Sequence, residues 1–241
     1  MLHRPAMFLD IATACNPEMT ALAPEPVVVA PSNYKDPEKI KEYVERETAC
    51  RKAELIEKAA LDPDYGKILS IGIGLADAPV YPEGKFPITV LVNKDLYGTG
   101  EDLSYPADAC SEENLLRIFW KTFYEVNGRC IGYNVLGFDL PFLMRRSMAL
   151  GVKPSITPML AKYRTEPVTD LYGILYNWAP GKGLKQVARL YNIPNPLPDL
   201  DGSKVKDMDP ETLRAYQRND IQITAALYER MNGIYFDDGS R

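Results

Sequence analysis

The chain is expected to fold as an α/β domain, on three observations. Short apolar runs come first, at residues 8–11, 67–74 and 87–92. Helical and strand-like segments then alternate as far as residue 230. Strands followed by alternating helices and strands are the order of a sheet covered by helices. The length of 241 residues is enough to bury a core of ordinary size.

Taking the elements in turn, residues 8–11, apolar but for Asp10, read as a buried strand; residues 67–74 and 87–92 read as two more, with a Pro/Gly-rich turn near 79–84 between them. Ser111 offers an N-cap to a helix carrying Leu115, Leu116, Phe119, Trp120 and Phe123 at helical spacing, and Gly128 stops it. A strand at 130–133, a helix opening at Asp139, a strand at 168–171 and a helix over 183–190 follow. The last helix is capped by Asp209, with Pro210 in its first turn.

About fifty residues separate the first two strands, far more than a hairpin needs. One domain over 1–241 with an insertion at approximately 14–64 is therefore expected. Within it, residues 23–32 are Pro-rich and extended, while Asp36-Pro37-Glu38 starts a charged helix with a thin apolar stripe of Ile40, Tyr43, Val44, Ile56 and Ala60. At about 1.5 Å per residue that helix measures roughly 35 Å. It reads as an ornament on the core edge, or as a lid or clamp beside a nucleic-acid channel.

A net charge of -5 argues against bulk electrostatic adhesion to a duplex, and fits a protein that meets phosphates through bound divalent metal. Cys15, Cys50, Cys110 and Cys130 lie far apart with no CxxC pair, so neither a zinc knuckle nor a disulfide framework is expected. No segment approaches the length of a membrane span, so a cytoplasmic protein with no membrane partner is expected. His3 is the sole histidine, which excludes most triad and zinc mechanisms.

Three acidic stations remain: Phe8-Leu9-Asp10-Ile11-Ala12, Asn134-Val135-Leu136-Gly137-Phe138-Asp139, and Tyr216-Gln217-Arg218-Asn219-Asp220. In this order they resemble the DEDD superfamily of 3'-5' exonucleases, tyrosine branch, which is similar to the proofreading domain of B-family DNA polymerases. The position of His3 outside the third station excludes the histidine branch. One station departs from the family pattern: DxE places a glutamate where this chain has Ala12. The resemblance implies a ribonuclease H-like fold with a mixed five-stranded sheet flanked by helices. It also implies hydrolysis of single-stranded DNA from the 3' end to nucleoside monophosphates.

Under that resemblance Asp10, Asp139 and Asp220 are the metal ligands for two Mg²⁺ or Mn²⁺ ions, hard cations that seek carboxylate oxygen. Tyr216, one helical turn before Asp220, orients the attacking water. Asn134 and Phe138 hold the 3'-terminal nucleotides, while Lys182, Lys185, Arg145 and Arg146 are candidates for a phosphate track. Asn134 reads equally well as a turn residue, Phe138 as core, and Asp170 as an auxiliary carboxylate. RNA as substrate, and a catalytically dead binder of nucleic-acid ends, are the alternatives. A separate polymerase or replication and repair proteins are the expected partners.

Overall fold

The computed structural model describes residues 5–76, 86–97, 108–200 and 202–236. The turn expected near 79–84 and His3 lie outside them. The chain divides into two compact units, Thr13–Lys67 and the remainder.

In the larger unit, β1 (Ala6–Cys15), β2 (Gly66–Ala76), β3 (Ile88–Asn93), β4 (Ala109–Cys110), β5 (Cys130–Gly132) and β6 (Val168–Asp170) form one sheet of order β4-β3-β2-β1-β5-β6, with β1 and β2 running on across the unit boundary. β2 and β3 are antiparallel, whereas β1, β5 and β6 are mutually parallel neighbours. The sheet has six strands where five were expected. The difference is β4, whose two residues pair with Val92 and Asn93 and are too short to leave a periodic signal.

Helices cover both faces. α3 (Glu112–Glu125) and α4 (Asp139–Ala149) pack on one side, where Met7, Leu9 and Ile11 meet Leu116, Phe119 and Leu143. α5 (Leu171–Leu175), α6 (Leu184–Leu190) and α7 (Pro210–Met231) lie on the other, where Ala6 and Phe8 meet Leu171, Val187 and Ile221. Alternate residues of a strand face opposite ways, so Asp10 and Ala12 share the face of Ala6 and Phe8, toward α7.

The caps are those that the residues dictate. Ser111 Oγ accepts from the backbone N–H of Asn114, and Asp209 accepts from the N–H groups of Glu211 and Thr212. Past the end of α3, Asn127 and Gly128 adopt positive φ, and the Gly128 N–H returns 2.8 Å to the carbonyl of Phe123. α5 was not foreseen. It starts where a strand residue, Leu171, was expected, because the Asp170 side chain caps it through the Gly173 N–H.

Arg146 departs from expectation most. It is 4% exposed and does not line a phosphate track. Its Nε and Nη2 each donate at 2.8 Å to the two carboxylate oxygens of Glu112, and Glu112 Oε1 also accepts from the Ile68 N–H at 2.9 Å. One buried ion pair thus ties α4, α3 and β2 together.

In the smaller unit, the insertion helix is α2 (Pro37–Lys58), capped by Asp36 and following α1 (Pro17–Thr20). The extended segment before α2 is fastened to it by Arg51 Nη1 on the Val27 carbonyl and by an ion pair of Lys52 with Glu25. Ile56 is exposed, not part of the inner stripe; the neighbouring Leu55 is half-buried and Ala59 is buried.

Candidate active site

The register of β1 on β5 pairs Phe8 with Ile131, so Asp10 falls one residue beyond the end of β5. Asp139 opens α4 just after β5, and Asp170 ends β6. Acids thus stand beyond the carboxyl ends of β5 and β6, beside the middle of β1. Asp220 comes to the same place from the buried face of α7.

These positions are fixed by backbone contacts as well as by sequence order. Asp139 Oδ1 accepts the Ile11 N–H at 3.0 Å, joining the first and second stations directly. Asp220 pairs with the Lys185 ammonium, which also lies 4.7 Å from the centre of the Tyr216 ring. Lys185 is therefore part of the acidic cluster. Tyr216 and Asp220 lie one turn apart on α7, and both are buried.

The other expected contacts divide. Asn134 has φ of 63° and anchors a turn in which its carbonyl accepts from the N–H groups of Gly137 and Phe138. Phe138 precedes α4 with its ring 5.5 Å from that of Phe142, against the core. Lys182 is exposed, and its carbonyl accepts from the Tyr133 hydroxyl. Arg145 is exposed on α4. Asp170 accepts from the N–H groups of Asn134, Leu136 and Gly173, and so serves as the clamp of the second-station turn. Ala12 is buried and brings no oxygen to the cluster.

Burial and mutual repulsion govern the charge of this site. Burial, then the charges of Asp220 and Asp139, push the Asp10 carboxyl well above its ordinary range. Burial raises Asp139 to about 7 against the pull of the Ile11 N–H. Burial also raises Asp220, opposed first by Lys185 and then by Tyr216 and Asn219. Acids crowded in this way require positive charge, and Lys185 supplies one unit of it.

The donor chemistry suits a hard divalent cation, since every acid in the cluster offers carboxylate oxygen. As placed, the acids stand apart: among the described residues no three acidic, cysteine or histidine side chains form a group able to enclose an ion. Beside them lies a cleft of about 740 Å³ along α6, lined by Lys185, Arg189, Asn192 and Asn195. The Asn195 side chain accepts from Asn219, the residue before Asp220. Arg189 and Asn195 went unnoticed in the sequence because neither belongs to an acidic station.

Two measurements follow. The folded chain holds the Asp139 proton to about pH 7, whereas an ordinary aspartate releases it near 3.8. Between those values the folded state binds more protons than the unfolded, so stability falls as pH rises through that window. Melting temperature in chelator should decline from pH 5 to 7, and Asp139→Asn should flatten the slope; equal slopes would refute the assignment. Second, Lys185→Met removes the largest influence holding Asp220 down. Its carboxyl resonance in ¹³C NMR should then titrate at higher pH, and an unmoved midpoint would break the pairing.

A six-stranded mixed sheet with helices on both faces and acids gathered at one edge defines an α/β domain with an acidic site. Residues 89–235 match the family described as predicted 3'-5' exonuclease related to the exonuclease domain of PolB, and the chain belongs to that family. Among solved structures it is similar to the family B DNA polymerase of the hyperthermophilic archaeon Pyrobaculum calidifontis, at 17% identity and a TM-score of 0.56. The match covers 94% of this chain and 24% of the polymerase, and it shows the fold, consistent with a ribonuclease H-like domain. No relative is found among curated proteins. No helix among the described residues is long and apolar enough to cross a membrane.

Proposed function

We propose that this chain is a metal-dependent 3'-5' exonuclease of the tyrosine branch, removing nucleoside monophosphates from single-stranded DNA 3' ends. The observation that carries this reading is that the buried Asp10 lies within electrostatic reach of Asp139, Asp220 and Lys185, with Lys185 paired to Asp220 and set over the Tyr216 ring. Asp10, Asp139 and Asp220 would hold Mg²⁺ or Mn²⁺, which when bound supplies an activated water and neutralises charge at the scissile phosphate.

Each remaining residue has a share. Tyr216, its ring beside Lys185 and its side chain bonded to Asp220, orients the attacking water. Lys185 opposes the rise that burial imposes on the Asp220 carboxyl and offers positive charge next to the phosphate. Asn134 and Phe138, at the turn leading into Asp139, border the terminal nucleotide. Lys182, exposed ahead of α6, meets the backbone of the strand. Ala12 leaves one ligand position without an oxygen, so turnover by this chain is slow. That same residue favours a second reading, a protein that binds nucleic-acid ends without cutting them.

The test compares linear, circular and 3'-phosphorylated single-stranded DNA, with matched RNA, as Mn²⁺-dependent substrates of the chain and its Ala12→Glu form. A ladder shortening from the 3' side, suppressed by a 3'-phosphate and indifferent to the 5' end, is expected. Circular strands cut as fast as linear ones would mean an endonuclease. Binding without cleavage by either form would favour the end-binding protein.

A further inference from the structure

Gln217 lies between the tyrosine and the aspartate of the third station, on α7, and is wholly buried. Its Nε2 donates to the Asp10 backbone carbonyl at 2.7 Å and to Asp10 Oδ2 at 3.2 Å. Its Oε1 accepts from the hydroxyl of Ser70, on β2, which is also wholly buried. The amide can face only one way. The Asp10 backbone carbonyl accepts and does not donate, so the NH₂ must point at Asp10 and the oxygen at Ser70.

Room for this bridge comes from the sheet. On β2, two residues after Ser70, Gly72 has no side chain, and a Cβ there would stand 2.7 Å from Gln217 Cγ and 2.9 Å from Ile221 Cδ1. Burying an amide and a hydroxyl beside a sheet costs desolvation that an apolar side chain of equal size avoids. The bonds made here end on the acid that opens the cluster. They engage one Asp10 oxygen, while among the described residues no donor reaches the other, Oδ1.

We infer that Gln217 is a positioning residue for Asp10: oriented by Ser70, it fixes the carboxylate so that Oδ1 faces the site for a divalent cation. The inference rests on the exonuclease reading, in which Asp10 is a metal ligand, and extends it to Gln217, an interior residue of the third station, and to Ser70, outside the stations. The two contacts to Asp10, one on the backbone and one on the side chain, set the carboxylate relative to its own strand. A ligand held in this way needs no reorganisation when the cation arrives, and loss of such outer support commonly costs about 10- to 100-fold in metal affinity.

Mn²⁺ binding, followed by electron paramagnetic resonance of the free ion, tests this on the intact chain beside Asp10→Asn, Gln217→Met and Ser70→Ala. Gln217→Met keeps the volume and removes the donor, so packing is preserved and thermal melting verifies it. Its Kd for Mn²⁺ should rise about tenfold or more. Ser70→Ala loses only the bond that orients the amide and should raise Kd about threefold. A folded Gln217→Met with unchanged Kd would show that Gln217 only fills space, overturning the inference while leaving the site reading intact. If Gln217→Met does not fold, an unchanged Kd for Ser70→Ala overturns it instead. If the intact chain and Asp10→Asn take up Mn²⁺ equally, or neither does, the cation-site reading itself fails and the inference falls with it.

Discussion

Ala12→Glu should raise Mn²⁺-dependent digestion of a 3'-labelled single strand at least about tenfold over the chain as it stands. The expectation follows from strand geometry. Residues two apart on β1 share a face, so a carboxylate at 12 projects beside Asp10 and toward α7, into the cluster that lacks it. Position 12 is buried, and a fourth acid there adds to the repulsion already lifting Asp10. The variant should therefore melt lower than the parent in chelator and recover with Mn²⁺. Equal digestion rates for the two forms would sink the assignment of position 12 as an empty ligand place.

The second large effect concerns stability. Glu112→Ala leaves the Arg146 guanidinium buried without its partner and strips the Ile68 N–H of its acceptor. Breaking a buried pair from one side costs about 3–5 kcal/mol. Domain stability is commonly about 5–15 kcal/mol, so the loss should be visible as a fall in melting temperature on the order of 10 °C. Replacing both partners, Glu112→Leu with Arg146→Met, should restore most of it, because the charge to be compensated is gone. A Glu112→Ala melting temperature within a degree or two of the parent would mean that water reaches Arg146.

The fold was largely legible because its main elements carry local signals. α3 announces itself through its Ser111 cap and apolar residues at helical spacing, α7 through Asp209 and Pro210, and β1 through an apolar run, although the strand extends past the expected residue 11 to Cys15. What escaped depends on partners distant in sequence. β4 exists only by pairing with β3, and Arg146 looks like any solvated arginine until Glu112, 34 residues earlier, is brought against it. The phase of the α2 stripe was misread at one position, since Ile56 and Leu55 are equally apolar and only packing chooses between them.

The site was read in the same uneven way. Its acids stood out through ordered words, and the structure brings Asp10, Asp139 and Asp220 within electrostatic reach of one another. Lys185 was noticed for its charge, and its pairing with Asp220 could not be read from the sequence. Gln217 drew no notice, because an amide inside a helix carries no signal until the strand it touches is known. Asp170 looked like a spare ligand, yet three backbone N–H groups claim its oxygens.

On the exonuclease reading, the carboxyls gathered at this edge of the sheet make the site an exchanger of cation for protons. Near neutral pH the cluster retains protons that isolated aspartates would have released, with Asp139 half-titrated at about 7. A divalent ion entering it must expel them, so uptake and proton release are one event. Heats of binding should then vary with the ionisation enthalpy of the buffer, and apparent affinity should climb with pH until the last of those protons has gone. On that reading acidification would discharge the ion and leave behind a protonated, more stable domain, which couples the site's occupancy to the acidity of its surroundings.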